Sequence, residues 1–401
     1  MDGRFESAAT WRVCVAGALG LAVAMGIGRF AATPLLPLMQ REGLLDADGA
    51  AWLAAVNYAG YLAGALSAAR LAARPRRLVL ACLLATPGVT AVAGLTHSLA
   101  AWLLLRAAAG LLSAWVLVGI SHWSVGELAQ RRRADASGWV FSGVGVGIAA
   151  AGSLAWAAGG AGPSALWLAL GGLALIVSLS VWRLWPVPAH EPRVGPSAAT
   201  STRTPRGSAG LVVCYGIFGF GYILPATYLP SLARNLVDDP RLFGLVWPMF
   251  GLAAAASTLL AGHALRHFRL LDIWAGCHLL MAAGCVLPLV SRSGPAIGLS
   301  ALLVGGTFMV ATMMGLQQAR LLCVGNAAPL LARMTAAFAL GQIAGPLAAL
   351  LLARLPVHAW SGIELTLAIA AALLGATAVW LHLSSTVRET THERSAHRAS
   401  H

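Results

Sequence analysis

The chain has 401 residues, 58% of them apolar and only 10% charged, with a mean hydropathy of +0.76. A water-soluble protein of this length needs far more charge to cover its surface, so the composition excludes a soluble globular fold and points to a chain solvated by lipid. The formal net charge of +13 rests on arginine alone, since the sequence has no lysine. Those arginines fall in short segments between apolar runs, which fixes orientation in a membrane and argues against nucleic acid as a partner.

About twenty apolar residues cross a bilayer as one helix. After a polar N-terminal tail, residues 1–12, such runs occur near 13–38, 50–71, 78–97, 99–125, 137–159 and 163–185. The first is too long for a signal-peptide core and has no evident cleavage site after it, so it reads as a retained helix. Residues 186–209 carry five prolines among serines and threonines and read as a flexible connector. A second set follows near 210–234, 242–265, 271–290, 295–319, 333–354 and 360–383. A polar tail, expected to be disordered, occupies residues 384–401.

The expected fold is therefore an all-α membrane protein of twelve transmembrane helices, in two six-helix bundles spanning 13–185 and 210–383. With a cytoplasmic N-terminus, twenty arginines lie in inner loops and tails against five in outer loops, which places both termini inside. The six cysteines lie within or beside apolar runs, form no CxxC pair, and read as small apolar residues rather than as a disulfide or metal framework.

The two sets repeat each other. Gly26, Gly28 and Pro37 in helix 1 match Gly219, Gly221 and Pro230 in helix 7 at an offset of 193. Ser137, Gly143 and Gly147 in helix 5 match Thr335, Gly341 and Gly345 in helix 11 at an offset of 198. Two matches in the same order argue for parallel six-helix repeats related by a pseudo-two-fold axis. That architecture puts a substrate site between the halves near the bilayer midplane, with access alternating as one half rocks against the other.

Four stretches carry a family resemblance: GIGRFAATPLLPLMQ (26–40), WLAAVNYAGYLAGAL (52–66), YGIFGFGYILPATYLP (215–230) and TAAFALGQIAGP (335–346). Together they resemble the major facilitator superfamily and, within it, the bacterial YbfB/YjiJ-like group. The resemblance implies a secondary transporter of the bacterial cytoplasmic membrane whose helices 1, 4, 7 and 10 line a central cavity. The general superfamily motifs are partial. GALSAARLAARPRR (64–77) resembles the first signature but has Ala68 near the expected acidic residue, which puts a gate built on that carboxylate in doubt. Arg106 and Gly110 match the core of the second, and GVGVGIAAAG (143–152) resembles the third without its proline.

Arg29 and Arg106 are the sharpest candidates, because an ionised side chain in hydrocarbon costs roughly 3 kcal/mol on insertion scales and usually faces a wet cavity. Helix counting puts Arg29 roughly 24 Å into a core of about 30 Å, and Arg106 roughly 10 Å below the outer face, so the two lie at similar depth. Two readings stay open for each: binding of an anionic substrate through charge-assisted hydrogen bonds, or a structural pairing with helix carbonyls. Asn57 and Tyr61 share a face of helix 2 and either line the cavity or bond between helices. Tyr222 occupies in helix 7 the place of Arg29 in helix 1, and Gln317 and Gln342 add polar candidates from helices 10 and 11.

No carboxylate is expected at that depth. Proton coupling, if present, falls to His122 with Glu127 or to the substrate itself, and His278 is expected as a solvated interfacial residue. The spans contain no HExxH, no GxSxG and no paired acidic residues, so enzyme, metal and cofactor chemistry are not expected. The reading is thus a monomeric carrier of a small organic solute, an anion being favoured. The alternative is a scaffold or sensor that kept the fold and lost transport.

Overall fold

The computed structural model describes residues 2–71, 75–158, 160–185, 208–236, 244–323, 326–354 and 361–399. These residues form twelve helical rods and, among themselves, no strand. In hydrocarbon every backbone N–H and C=O must be bonded within its own segment, which leaves the helix as the structure such apolar runs adopt. The connector 186–209 lies almost wholly outside the described residues.

The first rod, α1, is built from Asp2–Leu21, a π-helical stretch Ala22–Arg29 and, after a break at Phe30 and Ala31, Ala32–Arg41. The other rods of the first half are α2 (Ala47–Leu71), α3 (Pro75–Val92), α4 (Leu99–Gln130), α5 (Ser137–Ala157) and α6 (Pro163–Leu184). The second half has α7 (Ser208–Leu236), α8 (Val246–Ala264), α9 (Leu270–Val290), α10 (Gly294–Leu322), α11 (Ala328–Leu352) and α12 (Gly362–Ala399). Among the described residues nine rods are long and apolar enough to cross a membrane. The remaining three are α2, with Asn57, Tyr58 and Tyr61 mid-length, α3, which is only 18 residues long, and α8, which is 19 residues long with His263 in its last turn.

Two boundaries differ most from the expectation. The rod α1 begins at Asp2, inside the segment read as a tail. The rod α12 stays helical through Ala399, past residue 384, because the sequence from Ala376 to Ala399 has neither glycine nor proline to stop it.

The pairing of rods repeats. Within the first half α1 packs on α5, α2 on α4, and α3 on α4 and α6. Six helices later, α7 packs on α11, α8 on α10, and α9 on α10 and α12. The halves meet through α5 with α8 and α2 with α11, contacts that exchange with each other when the halves are swapped. The contact topology thus has the two-fold relation that the repeated glycines suggested. Large apolar side chains such as Trp52, Leu104, Leu260 and Val290 stay exposed, as they must where the solvent is lipid.

The repeated glycines sit at equivalent backbone contacts. A Cβ at Gly143 would run into the carbonyl oxygen of Ala18, and one at Gly341 into that of Gly216. Gly143→Val and Gly341→Val are each expected to cost about 3 kcal/mol or to abolish folded expression, because backbone cannot move aside as a side chain can. Gly172→Val, where the added carbon meets nothing within 4 Å, is the control. Monodisperse yield on size exclusion measures the difference, and equal yields for all three variants would refute the close-packing account.

Candidate functional site

The π-helical stretch of α1 ends in a break, with the Phe30 amide donating to the Met25 carbonyl at 3.0 Å. The Arg106 guanidinium crosses from α4 to this point. Its Nη1 donates to the Gly28 carbonyl at 3.0 Å and its Nη2 to the Arg29 carbonyl at 2.7 Å. A planar fork suits two adjacent carbonyls, and it bonds backbone groups where the regular ladder changes register. Behind it, Asn57 Nδ2 donates to the Arg106 carbonyl at 2.9 Å. Gly60 and Gly110 bring α2 and α4 close enough for that bond, since a Cβ at either would strike backbone of the other helix. Arg106 and Asn57 therefore brace α1, α2 and α4 together.

Arg29 is placed differently. Its side chain is directed towards α2 and α11 and is only 2% exposed. Its guanidinium carbon lies 3.6 Å from the centre of the Tyr61 ring and 5.3 Å from that of Phe30. Its Nη2 donates to Gln342 Oε1, a bond from the first half to the second. Its Nε and Nη1 are buried with no hydrogen-bond partner, as is Gln342 Nε2. Among the described residues the ion-paired carboxylates lie near helix ends. Glu127 pairs with Arg131, Asp135 with Arg133 and Arg266, and Glu364 with Arg292, while Asp272 lies 3.0 Å from His382 Nδ1. None of them meets Arg29.

An aromatic cluster adjoins this cation. Tyr222 stacks on Phe308 with ring centres 4.9 Å apart and lies 6.1 Å from Phe338. Phe308 meets Phe30 at 6.2 Å, and Phe338 meets Tyr61 at 6.5 Å. The rings come from α1, α2, α7, α10 and α11, so both halves supply walls. Tyr61, Tyr222 and Phe308 are fully buried, which makes the arrangement a closed one.

The structure thus brings Arg29, Tyr61, Gln342 and Tyr222 together and sets Arg106 and Asn57 directly behind them. Gln317 lies elsewhere. Nine residues beyond Phe308 on α10, it is about 14 Å further along the helix, where its Nε2 donates to Ser137 Oγ of α5. Ser137 Oγ also lies 3.5 Å from Met313 Sδ, so this group ties the two halves at one end of the bundle. His122 and Glu127 are not brought together either. Five positions along a helix differ by about 140°, and Glu127 is held by Arg131 one turn on, at 3.4 Å. His122 instead lines a small cavity with Trp115, Leu78 and Ala328. His278, expected as solvated, is fully buried between α9 and α12, with Nδ1 2.8 Å from Thr377 Oγ1.

Sequence reasoning passed over Phe308 and Phe338. Phe338 lies inside the TAAFALGQIAGP stretch and could have been found there, four residues before Gln342 on the same face. Phe308 lies in an apolar run with no distinguishing neighbour.

Comparison with solved structures finds the same fold in the crystal structure of the human organic anion transporter MFSD10 (TETRAN). The TM-score is 0.69 at 16% identity, over 94% of this chain and 99% of that one. A search of curated protein sequences finds no match. A family model described as uncharacterised MFS-type transporter YbfB matches residues 21–382. With that match over nearly the whole chain, and the rods paired as they are, this multi-pass membrane protein belongs to the YbfB family of MFS-type transporters.

Proposed function

We propose that the protein carries small organic anions across a bacterial inner membrane by alternating access, with Arg29 holding the negative charge of the substrate. The observation that carries this reading is the pair of buried, unpartnered donors Nε and Nη1 on a cation that no described carboxylate meets. A carboxylate or similar group on the substrate would complete that hydrogen bonding. Tyr61 and Gln342 hold the guanidinium in place, and Tyr222, Phe308 and Phe338 offer an apolar wall to the rest of the molecule. The organic anion transporter of the same fold supports the substrate class. In this reading all twelve rods cross the bilayer, and the arginine asymmetry sets both termini in the cytoplasm. Arg106 and Asn57 serve the fold around the site, and Ser137 with Gln317 seals the cytoplasmic end.

Purified protein in proteoliposomes tests the proposal against a panel of aromatic monocarboxylates, aliphatic dicarboxylates, organic cations and neutral metabolites. Saturable uptake of an organic anion, competed by other anions and not by cations, is expected. Uptake of cations alone would overturn it, and uptake of no compound would favour the scaffold reading.

A further inference from the structure

We infer that the seam between the two halves carries a binding site for the headgroup of an anionic phospholipid, at the bundle end where α5 begins and α8 finishes. A cavity of about 160 Å³ opens there, lined by Arg133, Asp135, Gly138 and Trp139 from the first half and by His263 and Arg266 from the second. None of its lining residues belongs to the group around Arg29, and nothing in the proposed transport reaction uses it. The volume is that of about five water molecules, enough for a phosphodiester and its first carbons.

The charge suits a phosphate. Arg133 meets Asp135 at 3.1 Å and Arg266 meets the same carboxylate at 2.6 Å, so two guanidinium groups share one counter-charge. Both arginines remain at least half exposed, which leaves donors free to turn toward an incoming anion. Arg131, in the same loop, is already paired with Glu127. One positive charge is therefore in excess, between two segments that close together only because Gly138 and Gly262 lack side chains.

The surroundings favour a lipid over free phosphate. Trp139 is half exposed and meets Trp11 edge-on at 5.8 Å, the amphipathic aromatic pairing found at the membrane–water boundary. Leu260, next in sequence to the lining residue Leu259, and Phe268, two residues beyond Arg266, are exposed at 71% and 65%, apolar surface against which acyl chains can lie. By arginine counting this end faces the cytoplasmic leaflet, whose anionic lipids attract such basic pockets. A headgroup held by Arg133 and Arg266 together would touch both halves at once.

Native mass spectrometry of the purified full-length protein, titrated with dioleoyl phosphatidylglycerol or dioleoyl phosphatidylcholine, tests this. One phosphatidylglycerol is expected to be retained about tenfold better than phosphatidylcholine, and Arg133→Gln with Arg266→Gln should remove the preference. Asp135→Asn provides the converse, since it frees both arginines and should raise phosphatidylglycerol retention where mere loss of structure would lower it. Equal retention of the two lipids, retention unchanged in the double variant, or a fall in Asp135→Asn would each overturn the site. Competition by millimolar inorganic phosphate that equals competition by phosphatidylglycerol would overturn the lipid as its source.

Discussion

Arg29→Gln is expected to abolish saturable uptake of organic anions while leaving the protein at least as stable as the wild type. Charge-assisted hydrogen bonds contribute about 1.5–3 kcal/mol each, so losing a two-donor contact to a carboxylate should lower transport efficiency by about 100-fold or more. The stability half of the prediction follows from burial. The Arg29 guanidinium is 2% exposed with two unpartnered donors, so its cation–π contact with Tyr61 and its bond to Gln342 stand against a large desolvation cost. Glutamine removes that cost. The apparent Tm in detergent should hold steady or rise by a few degrees. Arg29→Lys should retain part of the activity, since an ammonium offers a point charge without the planar fork. Unchanged affinity and rate in Arg29→Gln would refute the assignment.

Arg106→Gln should behave in the opposite way, as a stability variant first. Its two donors bond the carbonyls of Gly28 and Arg29 at the break in α1. Removing them leaves two buried acceptors unbonded at about 1–3 kcal/mol each, and the apparent Tm should fall by several degrees with loss of folded yield. Transport should fall as well, because the α1 backbone that carries Arg29 loses its brace. Residual uptake at reduced temperature should retain its wild-type KM. A variant as stable as wild type but with affinity lost would instead put Arg106 on the substrate.

These opposed expectations concern two residues that look alike in the sequence. Each is a lone arginine in an apolar run, at similar calculated depth. Their roles diverge only because one guanidinium points at the backbone of a neighbouring helix and the other at Tyr61 and a glutamine 313 positions away. The two glutamines divide in the same way. Gln342 meets Arg29, whereas Gln317 meets Ser137 at the end of the bundle. His278, read as interfacial, is enclosed by the packing of α12 on α9.

Membrane residence, the run of apolar segments and the repeated pattern of small residues were determined by the sequence alone. Each is read along the chain, since hydropathy is summed along a single segment and a repeat of glycines is visible without knowing what they touch. The charge asymmetry from which an orientation is proposed is likewise a count along the sequence. The closed aromatic cluster of Tyr222, Phe308 and Phe338, the brace formed by Arg106, and the unpartnered donors of Arg29 were decided only by the tertiary structure. Their common physical reason is that a buried polar group is defined by what lies across from it, and helices far apart in sequence supply that partner. Both intramembrane arginines were legible as costly residues, but only the packing distinguished the one that holds the fold from the one left with donors to spare.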